Sequence, residues 1–158
     1  MAIEQTDLIQ QWLAGQISLG AAAEWNKDEI RIISEIAYSL AQQGRYAEAV
    51  VIFEGLLAIA PATAYFQAAL GALNLRLKNT SKAIEHLNAA LKIEETDVVS
   101  LVNRGEAYLL SGSLEAARND LEKALNIAAR RPKNEIDINN ETTLTVKRAR
   151  TLLQVHKI

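Results

Sequence analysis

The sequence predicts an all-α fold: a superhelical stack of three helix–turn–helix units with flanking N- and C-terminal helices. Three observations carry this. Ala and Leu, both strong helix formers, are abundant, while only two prolines and seven glycines punctuate the chain. A fixed set of small and large residues recurs every 34 positions with no insertion. Each recurrence is too short to bury its own apolar face, so the units must stack. The 158 residues, 49% of them apolar, suffice for one continuous core.

The register is visible from QQGRYAEAVVIFEGLLAIAP, residues 42–61. Ala49 recurs as Ala83 and Ala117, Phe53 as Leu87 and Leu121, and Leu57 as Leu91 and Leu125. Upstream, Ala37 recurs as Gly71 and Gly105. The units are therefore 30–63, 64–97 and 98–131. This set resembles the tetratricopeptide repeat, which implies two antiparallel helices per unit. In the first unit they run over about 30–43 and 46–59. Ala37 and Ala49 are small because two helices approach closely there. Gly44 suits the left-handed end of the first helix. Tyr46 and Phe53 fill the space left open. Pro61 ends the second helix. Unit two has Lys78 in place of the turn glycine and Glu95 in place of the proline, so its corners should be the least rigid.

The flanks come next. Residues 1–29 form an N-terminal helical segment with Leu8, Ile9, Trp12 and Leu13 on one apolar stripe. A helix that short must dock, either on its own repeats or on a second copy, and a homodimer is the favoured outcome. Asn26, with Glu29 three residues on, reads as a capping box. Residues 132–158 supply a closing helix over Glu141–His156, with Leu144, Leu152, Leu153 and His156 on one side and bases on the other. Residues 130–158 hold seven bases against three acids, which leaves residues 1–129 at −6 within a net charge of −2. A solvated tail helix accounts for the bases; a contact for an acidic partner is the sharper reading.

The chemistry points to binding. Without cysteine there is no disulfide, thiolate or Cys-based zinc site. His86 and His156 have no partner at metal-ligand spacing. Gly15 and Gly20 make no phosphate loop. Neither a catalytic constellation nor a cofactor is expected, and the acidic array speaks against nucleic acid. The N-terminus, with acids at Glu4 and Asp7 and no base, is not a secretory signal, and no apolar run could cross a bilayer. A cytoplasmic chain without stable membrane insertion is the expectation.

In repeats of this kind the first helices line a concave groove. Its positions here include Tyr38 and Ala41, then Tyr65, Ala68, Ala72 and Leu75, then Val102, Glu106 and Leu109. Rings beside alanines make shallow apolar pockets suited to an extended peptide. Partial cover by the chain's own termini is the alternative. The basic, Asn-rich clamp that binds acidic chaperone tails falls at Ser34, Tyr38, Ala69, Val99 and Asn103, where only Asn103 fits.

The whole arrangement resembles the class II chaperones of bacterial type III secretion. The resemblance rests on WLAGQISLG (12–20), Asp28, IAYSLAQQGRYAEAVVIFEGLL (36–57) and AYFQAALGAL (64–73). It departs from that family in TDVVSLVNRGEAY, which lacks early prolines, and in having no cysteine after Leu70-Gly71. The resemblance implies a non-enzymatic chaperone holding a Pro/Leu-containing segment of a hydrophobic translocator in the groove. It also implies a homodimer, often built through the N-terminal helix. A generic adaptor in another assembly is the rival reading.

Overall fold

The computed structural model describes residues 26–130 and 141–158. They form seven helices: α1 (Lys27–Gln42), α2 (Tyr46–Ile59), α3 (Ala64–Arg76), α4 (Thr80–Ile93), α5 (Val98–Leu110), α6 (Leu114–Ala129) and α7 (Glu141–His156). No strand occurs among the described residues. Each helix packs on the next from α1 to α6, α3 also meets α5, and α7 lies against both α5 and α6. The apolar stripe Leu8, Ile9, Trp12 and Leu13 lies outside the described residues.

Local chemistry sets where the helices begin. Asn26 Oδ1 accepts from the Asp28 and Glu29 N–H groups at 2.9 and 3.1 Å, and Glu29 Oε2 accepts from the Asn26 N–H at 2.7 Å. This reciprocal box starts α1 at Lys27, ahead of the repeat boundary. Asp97 does the same work for α5, its carboxylate accepting from Val99 and Ser100 N–H groups at 3.3 and 3.0 Å.

The three corners within the units share one hydrogen-bond pattern. The N–H groups of Arg45, Asn79 and Ser113 reach back to the carbonyls of Leu40, Asn74 and Tyr108 at 3.0, 2.8 and 2.8 Å. That closure needs a left-handed residue just before the donor. Gly44 and Gly112 supply it at φ 78°, and Lys78 supplies it at φ 61°. Unit two thus makes the same turn as its neighbours with a residue whose Cβ opposes it.

Within a unit the two helices touch most closely where the register has small residues. Ala37, Ala49, Ala83 and Ala117 are all fully buried. A Cβ added at Gly71 would lie 2.5 Å from Leu87 Cγ, and one at Gly105 would lie 2.9 Å from Leu121 Cγ. Unit one tolerates Ala37 because its partner in the register is the flat ring of Phe53 and not a branched Leu.

One pair of register positions changes character along the stack. Ile36 and Ile52 occupy it in unit one, Leu70 and His86 in unit two, and Arg104 and Asp120 in unit three. Arg104 grips Asp120 with two hydrogen bonds, of 2.6 and 2.7 Å, and donates a third to Asn88 on α4 at 2.7 Å. The carboxylate holds the Arg104 pKa above its ordinary value. Units two and three are thereby stapled across their seam. The Tyr108 ring adds a cation–π contact, its centroid 5.8 Å from the guanidinium.

The closing helix docks on a different stripe from the one the sequence suggested. Thr145 and Ala149 are buried, Leu152 and Leu153 pack partly against the unit-three core, Leu144 is 58% exposed, and His156 is exposed too. The small pair Thr145 and Ala149, four residues apart, lets α7 approach α5 and α6 closely; Leu144 at that seat would hold it off.

Three expectations follow. Gly71→Ala should lower stability, overpacking of about 1–3 kcal/mol outweighing a helix-propensity gain of about 1 kcal/mol, and the loss should exceed that of Gly105→Ala in thermal unfolding. Lys78→Gly should raise the melting temperature by removing a left-handed strain of about 1 kcal/mol. Asp120→Ala should cost about 3 kcal/mol by stranding Arg104, whereas Arg104→Ile with Asp120→Ile, which copies unit one, should recover most of it. Chemical denaturation of the three forms checks this.

Candidate functional site: the concave groove

The first helix of each unit, α1, α3 and α5, lines one side of the stack, and the expected groove residues separate into two groups there. Tyr38 and Tyr65 are 52% and 50% exposed. Tyr65 is held from behind, its ring edge-on to Phe53 and Phe66 with centroids 6.0 and 5.9 Å away. Ala41, Ala68 and Ala72 are half-buried beside these rings in the register. An exposed ring on a rigid backing, flanked by small residues, presents apolar surface at little entropic cost.

Unit three differs. Val102 is fully buried in a cluster that includes Leu101 and Ala149, so it offers no open pocket. Leu109 packs against the same cluster. Glu106 Oε2 lies 3.6 Å from Arg148 Nε on α7. The closing helix therefore covers the unit-three part of the groove, and the open part belongs to units one and two.

Between the open and covered parts lies a cavity of about 320 Å³. Ala41, Gln42 and Tyr46 line it from unit one, Ala72, Leu73, Leu75 and Arg76 from α3. Val99 and Asn103 close it from α5, Thr145 and Arg148 from α7. Leu75, another lining residue, is buried and clusters with Ala83 and Ala107. Position-by-position reading of the repeats reaches Ala41, Ala72, Leu75 and Val99 but misses Arg76, Thr145 and Arg148. Arg76 has no groove position in the repeat, and the other two come from a helix outside it. The i, i+4 spacing of Thr145 and Ala149, the smallest stripe on α7, is the signal that places Arg148 inward.

No cluster of His, Asp or Glu able to hold a metal occurs among the described residues. His86 Nδ1 sits 2.8 Å from Gln67 Oε1, and burial holds its pKa below the ordinary value, as befits a neutral packed imidazole. No described helix is long and apolar enough to cross a membrane.

Known proteins place this architecture. Hsc70-interacting protein 1 of Drosophila melanogaster is 28% identical over 104 residues, covering 64% of this chain and 28% of that protein. The DnaJ homolog subfamily C member 3 homolog of Dictyostelium discoideum is 33% identical over 92 residues, covering 56% of this chain and 18% of that one. The chain thus spans less than a third of the length of these curated relatives. Among solved structures, the translocator chaperone SycD of Yersinia enterocolitica superposes with a TM-score of 0.72 at 19% identity, covering 88% of this chain and 98% of SycD. A type III secretion complex from Aeromonas hydrophila gives 0.74 at 22%, covering 96% and 95%. PcrH, in complex with the chaperone binding region of PopD, gives 0.73 at 19%, covering 85% and 95%. The tetratricopeptide repeat family model matches residues 30–63, 64–97 and 98–131, and the chain belongs to that family.

Proposed function

We propose that this chain is a non-enzymatic, cytoplasmic chaperone of type III secretion that holds an extended segment of a hydrophobic translocator in its groove. One observation carries the reading: two half-exposed tyrosines, Tyr38 and Tyr65, stand on the open part of the groove, with Ala41, Ala68, Ala72 and Leu75 at the neighbouring repeat positions. Such a surface matches an extended chain bearing Leu or Pro side chains. Two similar folds support the choice of client, PcrH being solved with the chaperone binding region of PopD and SycD with a peptide of the translocator YopD. The groove residues proposed to contact the client are Tyr38, Ala41, Tyr65, Ala68, Ala72 and Leu75. Self-association through Leu8, Ile9, Trp12 and Leu13 belongs to the same proposal; SycD crystallises as a dimer, including an alternative one.

A second reading, binding of an acidic chaperone tail, comes from a similar fold, the first repeat domain of Spaghetti (RPAP3) solved with the HSP90 peptide SRMEEVD. The repeat positions that would clamp such a tail are Ser34, Tyr38, Ala69, Val99 and Asn103. Ser34 donates to the Arg31 carbonyl at 2.7 Å, and the Asn103 amide oxygen accepts from Arg148. No base stands on α1 or α5 at those positions, so the apolar client is the better match.

Co-expression with neighbouring genes identifies the co-eluting client, and its captured segment is then titrated into wild type, Tyr38→Ala and Tyr65→Ala. Either truncation should weaken binding by about 1–3 kcal/mol with helicity intact. Tyr65→Phe, which keeps the stacking on Phe53 and Phe66, should retain most of the affinity. Equal affinity for wild type and both alanine variants would place the client on another surface and favour a general adaptor.

A further inference from the structure

The corner where α3, α5 and α7 meet carries different chemistry from the tyrosine side. Arg148 Nη2 donates to Asn103 Oδ1. A guanidinium offers only N–H donors, so Asn103 must turn its amide oxygen toward Arg148. Its two remaining N–H bonds then point away from Arg148. Asn103 is only 6% exposed, lines the 320 Å³ cavity, and makes no hydrogen bond through Nδ2 among the described residues. The amide lines a cavity, so its N–H groups are open to an incoming acceptor.

Arg76 lines the same cavity from α3 and makes no ion pair among the described residues. Gln42, Tyr46 and Thr145 also line it, and no Asp or Glu does. Glu106, outside the lining, faces Arg148 and offsets that charge, so Arg76 leaves the corner with a net positive charge.

We infer that this corner reads a carboxylate: the extended client segment whose apolar side chains lie beside Tyr38 and Tyr65 also carries an Asp or Glu side chain, seated between Arg76 and Asn103. The inference rests on the groove reading above and adds an acidic specificity to it. A charge-assisted hydrogen bond from Arg76 and a neutral one from Asn103 would fix the segment's register, while the tyrosine side supplies apolar contact.

The test is selection of a random twelve-residue peptide library, displayed without a free C-terminus, on the immobilised full chain. Selection is repeated on Arg76→Gln, Asn103→Leu, Tyr38→Ala and Tyr65→Ala. The expected consensus has apolar residues with one Asp or Glu at a fixed offset. The acid should disappear from the Arg76→Gln selection while the apolar residues remain. The best peptide, amidated, should lose about tenfold in affinity for wild type when its acid is replaced by the matching amide. That difference should shrink to under about twofold in Arg76→Gln and narrow in Asn103→Leu. Circular dichroism confirms that each variant is folded. A consensus that is apolar without an acid, or an acid preference untouched by Arg76→Gln and Asn103→Leu alike, overturns the carboxylate inference and leaves the groove reading standing. A consensus that survives both tyrosine truncations, or the absence of any consensus, overturns the groove reading and the inference with it.

Discussion

The close approach of the two helices within a unit governs everything built on it. Leu87 and Leu121 occupy the volume that a side chain at position 71 or 105 would need, at 2.5 and 2.9 Å from an added Cβ. Glycine lets the axes come that near opposite a branched Leu, and Ala83 and Ala117 are completely buried there. The separation then sets the tilt between one unit and the next, because α3 packs both on α4 and on α5. The curvature of the groove is thus a sum of small local distances. Neither the tyrosines nor the cavity could be moved without changing it.

The stack is regular in shape and irregular in chemistry. The seat held by Ile36 and Ile52 in unit one becomes a bidentate ion pair in unit three, tied across the seam to Asn88. An apolar pair there would stabilise by area alone and leave orientation loose. An Arg with three directed donors fixes how unit three sits on unit two. The same preference for directed contacts appears again at the closing helix, where Arg148 meets Asn103 and Glu106. The open groove lies in the units without an ion pair at that seat, and the charged fastenings cluster where the groove is covered.

Much of this was readable from the chain. The 34-residue register gives the helix pairs, the corners and the small-residue crossings, because each depends on contacts close in sequence or repeated at a fixed interval. Lys78 stands out as the one corner without glycine, and it does take the strained conformation. The covered end of the groove was less legible. Which face of α7 turns inward depends on Thr145 and Ala149 being small enough to dock, whereas a hydropathy pattern favours Leu144, which is exposed. Val102 sits at a groove position by repeat arithmetic yet is buried, because that arithmetic knows nothing of a helix lying outside the repeats. Arg148 escaped notice for the same reason.

The docking of α7 has a consequence for symmetry. A solenoid whose two ends are alike can accept another copy at either end, and head-to-tail addition then runs on without closing. Here α7 seals the end at α5 and α6, with Thr145 and Ala149 inserted and the bases Lys147 and Arg150 turned to solvent. No described element caps the other end, at α1, in this way. The end at unit three is thereby closed to stacking of a further repeat. The small residues of one terminal helix thus decide where the stack stops growing within the chain.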